Sequence, residues 1–150
     1  MALWSTGGSK DATSVQAVLL LVAAAASMRR AELYDFAIGS NAVSADTTFL
    51  WIVQRCTTAG TGAALTPNAN DPADPIAATT VVKDTVTVDP TLTAAAFLAR
   101  IPLNQKATYR WATIPGTGII IPATASNGVI LGLSAATTTL FAATASFNEH

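Results

Sequence analysis

Histidine and cysteine are almost missing from this chain, at one residue each in 150. Cys56 stands alone, so no intrachain disulfide can form, and it reads as a small buried hydrophobe on a strand. A nucleophilic cysteine needs a neighbouring base, usually histidine. The sole histidine, His150, is the final residue and makes no credible partner. Charge is scarce as well: 11% of residues, against about 25% in ordinary domains. Only Arg29 and Arg30 are adjacent cations, and the formal net charge is −1. Electrostatic capture of nucleic acid or of an anionic membrane needs clustered Lys and Arg, so neither partner is expected. The longest apolar run, Ala17 to Ala26, is shorter than the ~20 residues that span a bilayer. A signal peptide is the rival reading of that run, but Lys10 beside Asp11 makes a poor positive leader.

Motifs of cofactor and metal chemistry are missing too. There is no Walker loop, Gly-x-Gly-x-x-Gly, Cys-x-x-Cys or His-Glu-x-x-His. Gly60-Thr61-Gly62 and Gly116-Thr117-Gly118 are lone glycine pairs. Asn68, Asn70, Asp71 and Asp74 cluster, yet prolines follow Asp71 and Asp74 and the closing glutamate of a calcium loop is missing. Turn chemistry explains them. A glycosidase needs paired carboxylates, whereas Asp46, Asp71, Asp74, Asp89 and Glu149 sit at turns or strand ends. Glu32 and Asp35 fall on opposite faces of a regular strand, and all these acids read as solvated. The expectation is a protein that is not an enzyme, with no cofactor and no metal.

What is present is β pattern. Residues 29–39 and 47–58 read as two long strands joined by a polar loop. Alternation puts Tyr34, Phe36 and Ile38 on one face. In the second strand Phe49, Trp51 and Val53 share a face, and Leu50 and Ile52 make the opposite face apolar too. A strand apolar on both sides is buried on both sides, under either a second layer of the same chain or another subunit. Val15 to Val22 reads as a buried strand, with a short helix over residues 17–26 as the alternative. Further strands are expected near Val81–Asp89, Ala94–Ile101, Leu103–Trp111, Gly118–Ser126, Gly128–Ser134 and Leu140–Phe147. Asn127-Gly128 is a hairpin signal. The fold class that follows is all-β: an antiparallel β-sandwich, jelly-roll-like, of about eight strands. Residues 15–150 form one domain, preceded by an extended N-terminal arm, 1–14.

Hydrophobic residues reach 51%, much of it alanine, which leaves a surface of Thr, Ser, Ala and Asn. Such surfaces suit proteins held against neighbours. The long segment Ala59 to Ala78, stiffened by Pro67, Pro72 and Pro75, reads as an ordered excursion. Trp51, Trp111 and Tyr109 offer an alternative use, as a sugar-binding groove, although with 7% aromatics the core needs most of them.

The phrases Arg30-Ala31-Glu32-Leu33-Tyr34-Asp35, Gln54-Arg55-Cys56-Thr57-Thr58-Ala59-Gly60-Thr61-Gly62, Thr66-Pro67 with Asp71-Pro72-Ala73-Asp74, Leu103 to Trp111 and Ile121 to Gly128 carry a pattern. It resembles a family of small proteins encoded near the major capsid gene of tailed bacteriophages, whose better-understood relatives are capsid decoration, or cement, proteins. The resemblance covers roughly residues 29–149. It implies a jelly-roll sandwich bound to the outer capsid surface, often as a homotrimer, with the major capsid protein as partner. The location implied is the virion, assembled in the host cytoplasm. Cement proteins stabilise by binding the assembled shell. The alternative on the same fold is a carbohydrate- or receptor-binding module. Candidate interface residues are Trp4, Leu50, Ile52, Pro67, Asn68, Asn70, Asp71, Pro72 and Asp74. Trp4 is expected to anchor the arm between subunits or in the capsid, the alternative being a strand added to the edge of its own sheet.

Overall fold

Alternating Val, Ile, Thr and aromatic residues, broken by Gly, Pro and Asn, fold here into strands alone. A computed structural model describes residues 2–24, 29–43, 45–77 and 80–150. The strands, in order, are β1 (Leu3–Ser9), β2 (Val15–Ala23), β3 (Ala31–Ser40), β4 (Thr48–Cys56), β5 (Thr61–Leu65), β6 (Asn68–Ala69), β7 (Thr80–Val88), β8 (Leu92–Asn104), β9 (Tyr109–Ala112), β10 (Ile119–Ile121), β11 (Gly128–Thr137) and β12 (Phe141–Glu149). They form two antiparallel six-stranded sheets packed face to face. The front sheet runs β10-β3-β12-β1-β6, with β9 also on β3; the back sheet runs β5-β7-β2-β11-β4-β8.

The sandwich expected from the alternation is present, and the difference in strand number has a simple origin. β9 and β10 pair with successive parts of the same edge of β3 and act as one strand interrupted by residues 113–118. With them counted together, β1-β12-β3-β9/β10 facing β2-β11-β4-β8 is the eight-strand jelly-roll order. β5, β6 and β7 are an insertion between β4 and β8. They extend both sheets on one side of the sandwich, β6 on β1 and β5-β7 on β2.

The N-terminal segment corrects an expectation. Instead of a free arm, residues 3–9 form β1, paired along its length with β12. Trp4 is only 3% exposed, stacks on Phe147 at 5.8 Å and donates its indole N–H to the Pro75 carbonyl at 3.0 Å. The physical reason is register. Trp4 and Thr6 point inward, and the small Ser5, Gly7 and Ser9 take the outer side. β2 settles the strand-or-helix alternative in favour of strand as far as Ala23; residues 25–28 lie outside the described residues.

Other local differences follow from bulges and turns. A register shift between β3 and β12 at Tyr34–Asp35 lets Leu33, Phe36 and Ile38 all face the core while Tyr34 stays half-buried. β8 continues through Pro102, which an edge strand tolerates because the missing N–H faces no partner. Asn127-Gly128 does not make a hairpin: β10 and β11 lie in different sheets, so the turn is a corner. Gly128 is required there by closeness, since a Cβ would sit 2.0 Å from the Leu21 carbonyl oxygen.

The main core lies between the sheets, around Leu19, Leu21, Leu33, Phe36, Trp51, Val53, Leu131, Phe141 and Phe147. Phe141 takes Phe49 and Trp51 edge-on, at 4.9 and 5.4 Å. A second cluster, Val15, Ala17, Leu20, Val22, Ile52, Cys56, Val86 and Ile130, lies on the outer face of the back sheet. Its cover is the chain itself. β7 and β8 sit on opposite sides of β2, β11 and β4, so the chain between them crosses the sheet. It turns out of β7 at Thr85, whose φ of 42° is unusual for a β-branched residue. The Asp89 carboxylate then accepts hydrogen bonds from the Gln16 and Ala17 amides at 2.9 Å. Thr91 O accepts from Thr57 N at 2.9 Å, and Thr93 O accepts from the Gln54 side chain at 2.8 Å. This strap answers the two-sided apolar pattern of β4: the same chain buries Ile52, and no second subunit is needed there.

Candidate interaction surface

The residues expected at an interface separate into groups. Trp4, Ile52 and Pro67 are buried within the monomer. Their apolar bulk completes the protein's own packing, so as surface contacts they are corrected. Leu50 is half-buried beside Thr48, Phe49 and residues 133–137, away from the others. Asn68, Asn70, Asp71 and Pro72 are exposed, and Asp74 half-buried, on the insertion beside β1. There Asn70 N donates to Leu3 O at 2.8 Å, and Ser5 Oγ donates to Asn70 Oδ1 at 2.7 Å. Asp71 accepts from Ala73 N at 2.9 Å and, through its carbonyl, from Asp74 N at 3.0 Å. The Asp71 turn is thus closed by its own hydrogen bonds and joined to β1 through Asn70.

A broader surface escaped the sequence reading. In the front sheet, Trp4, Phe36, Ile38, Phe141, Ala143, Ala145 and Phe147 face the core. The intervening positions face out, and register aligns them in rows: Ser5-Ser146-Asp35, Gly7-Thr144-Ala37 and Ser9-Ala142-Gly39. All are small except Asp35, whose charge is balanced by the Arg110 guanidinium through contacts of 3.0 and 2.5 Å. A shallow, mostly apolar groove of about 230 Å³ runs along Ala37, Gly39, Thr108, Ala142 and Thr144. The result is a flat face of small side chains across β1, β12 and β3, bordered by the exposed Arg110 on β9 and without net charge. Ordering such a face against a partner costs little side-chain entropy. The signal in the sequence was the alternation of β12, where Ala142, Thr144 and Ser146 interleave with the aromatic and alanine core positions.

Acids read as solvated, and the aromatics offered as an alternative sugar groove, lie elsewhere. Glu32 is fully buried, under residues 113–118. Its carboxylate accepts from Gly116 N at 2.8 Å, from Gly118 N, from Asn148 Nδ2 at 3.1 Å, and pairs with His150 Nε2 at 3.3 Å. Burial pushes its carboxyl up, but the bonds from Gly118, Gly116, Asn148 and His150 outweigh this and hold it below the ordinary value. Asp84 is buried beside Gly8 and accepts from Ser9 N at 3.3 Å. Lys10, at 1% exposure, donates to the carbonyls of Asp11, Thr13 and Thr137. These groups hold backbone in place. Tyr109 and Trp111 pack on Phe36 at 6.4 and 5.3 Å, and Trp51 is buried, so they build the core instead of a sugar platform. Burial also pushes the Cys56 thiol up to about 11. Among the described residues, no three His, Cys, Asp or Glu side chains are grouped to hold a metal ion, and no helix is long and apolar enough to cross a membrane.

No family model, curated protein or solved structure matches this chain.

Proposed function

We propose that this protein is a structural component of a tailed-bacteriophage particle that binds the outer surface of the assembled capsid. The observation that carries the reading is the flat, neutral face of β1, β12 and β3. The family resemblance supplies the kind of partner, the major capsid protein. Three strands at ~4.8 Å spacing and about five residues at ~3.4 Å give that face on the order of 250 Å². A stable interface buries about 800 Å² per partner. One such face therefore holds weakly by itself. Several faces on one assembly, or one face plus the exposed Asn68–Asp74 turns, hold firmly through effective concentration. A homotrimer, as the resemblance implies, meets that need.

The test is particle binding by a face variant. Ala37→Arg with Thr144→Arg places two long cations on the outer side of β3 and β12 while leaving the core untouched. Cryo-electron microscopy of the source particle is expected to show the wild-type chain repeated on the shell. The variant should melt like the wild type yet leave those positions empty. Full shell occupancy by the variant would show that this face is not the contact. Wild-type density at the tail alone, or none on the shell, would end the decoration reading.

A further inference from the structure

One end of the sandwich carries an arrangement that packing alone does not account for. Along β4 the inward positions are Phe49, Trp51 and Val53, all in contact with the main core. The next inward position is Arg55. The apolar stripe thus finishes in a guanidinium, half-buried between the sheets. Its Nη1 donates to the Ile120 carbonyl of β10, which ties the back sheet to the front sheet. That contact engages one of its five N–H donors. Beside it opens a concavity of about 500 Å³ lined by Arg30, Arg55, Ile120, Pro122, Ala123 and Thr124. No acidic side chain lines it. Among the described residues, no ion pair joins Arg30 or Arg55 to a carboxylate.

A chain with only eight Lys and Arg in all has placed two of them around one hollow without a counter-ion. Glu32, the acid nearest in sequence, is fully engaged by the 113–118 amides, Asn148 and His150. The walls of Ile120, Pro122 and Ala123 lower the local dielectric, which strengthens a charge pair formed there. One Arg55 N–H is held by the Ile120 carbonyl, which orients its planar fork, and a fork of this kind matches a carboxylate. Burial pulls the Arg55 guanidinium down from its ordinary value.

We propose that the Arg30–Arg55 hollow is a binding site for a carboxylate group. The group comes either from a small free acid or from an acidic side chain on a protein docked at this end. The site is separate from the β1-β12-β3 face and does not depend on the capsid reading.

The experiment is a titration of the full chain followed by NMR, reading the Arg55 Nε–Hε signal and the Ala123 and Thr124 amides. The probes are glutarate, N-acetyl-glutamate-N′-methylamide, inorganic phosphate and sodium chloride, at matched ionic strength. Saturable shifts confined to this hollow are expected with a carboxylate probe, half-complete on the order of millimolar. Saturation by glutarate alone identifies a free acid; saturation by the peptide-like glutamate identifies a side chain; either supports the site. Arg30→Gln, at an exposed position, should weaken the response at least about tenfold, equivalent to ~1.4 kcal/mol, without moving other signals. Arg55→Lys keeps the charge but loses the fork and should weaken it similarly. If that variant fails to fold, wild type and Arg30→Gln decide. Equal shifts with chloride and carboxylates, saturation by phosphate alone, or an unchanged titration in Arg30→Gln would overturn the proposal.

Discussion

Glu32 is the sharpest place to test how this fold is held. Glu32→Ala would leave Gly116 N, Gly118 N and the Asn148 amide without their acceptor. An unsatisfied buried donor costs about 1–3 kcal/mol. Gly116 and Thr117 are exposed, so water reaches part of the vacated space, and a net loss of roughly 3 kcal/mol is expected. With a urea m-value of about 2 kcal/mol/M, the unfolding midpoint should fall by ~1.5 M. Glu32→Gln keeps one acceptor oxygen but turns an NH₂ toward donors, and should lose roughly 2 kcal/mol at neutral pH. The pH dependence carries the sign. The folded carboxyl lies below its ordinary value of 4.5, so folding favours the ionised form. Its contribution is complete above that value and is lost as pH falls through the folded value. The glutamine variant has no such titration. Urea midpoints measured from pH 7 to about pH 3 should therefore show the gap between wild type and Glu32→Gln closing as pH falls below ~4.5. A gap constant across that range, or a Glu32→Ala midpoint within about 0.3 M of wild type, would refute the account of this network.

Three further outcomes follow from the packing. Cys56 is buried, with its thiol pushed up to about 11, so the native protein should resist iodoacetamide at pH 8 and react in urea; rapid native labelling would contradict the strap's cover. Gly128→Ala drives a methyl into the Leu21 carbonyl, 2.0 Å from the ideal Cβ, and should cost more than ~3 kcal/mol or abolish soluble folding; a wild-type melting temperature would show that β2 and β11 can separate freely. A chain starting at Val15 lacks β1 with Trp4, worth about 3–5 kcal/mol by itself, and should lose cooperative melting in circular dichroism; near-normal stability would restore the free-arm view.

The strands that bury apolar residues on both faces were readable because β2 and β4 leave no polar side to solvate. Their cover was not. Which side of a sheet a later segment crosses depends on strand order, and strand order is a property of distant pairings. Residues 3–9 misled for a related reason: Ser5, Gly7 and Ser9 dilute the single large residue, Trp4, so the segment looks too polar to pack. Glu32 was expected to be solvated and, on a regular β3, opposite Asp35; the register shift at Tyr34 puts both on the outward side, and Glu32 is buried there. What local pattern could not show is that Gly116-Thr117-Gly118 would return over it and supply amides. The flat face of the front sheet was hidden by its own blandness, since Ala, Gly, Ser and Thr give no chemical signal until register aligns them. In the interface set, the exposed turns Asn68–Asp74 were legible from Asn, Asp and Pro. Ile52 was legible as buried, though not what buries it.

The strand order also bears on how the chain comes off the ribosome. None of β1, β2, β3 and β4 pairs with another of that group. β11 inserts between β2 and β4, and β12 between β1 and β3. Each of the first four strands gains a partner on one edge from among β6 to β10, but its other edge stays open until the last two strands are synthesised. Open edges of apolar strands invite pairing with other chains, and contacts this distant in sequence close slowly. A nascent copy is thus a natural client for chaperones until residue 149 emerges, at which point both sheets close together.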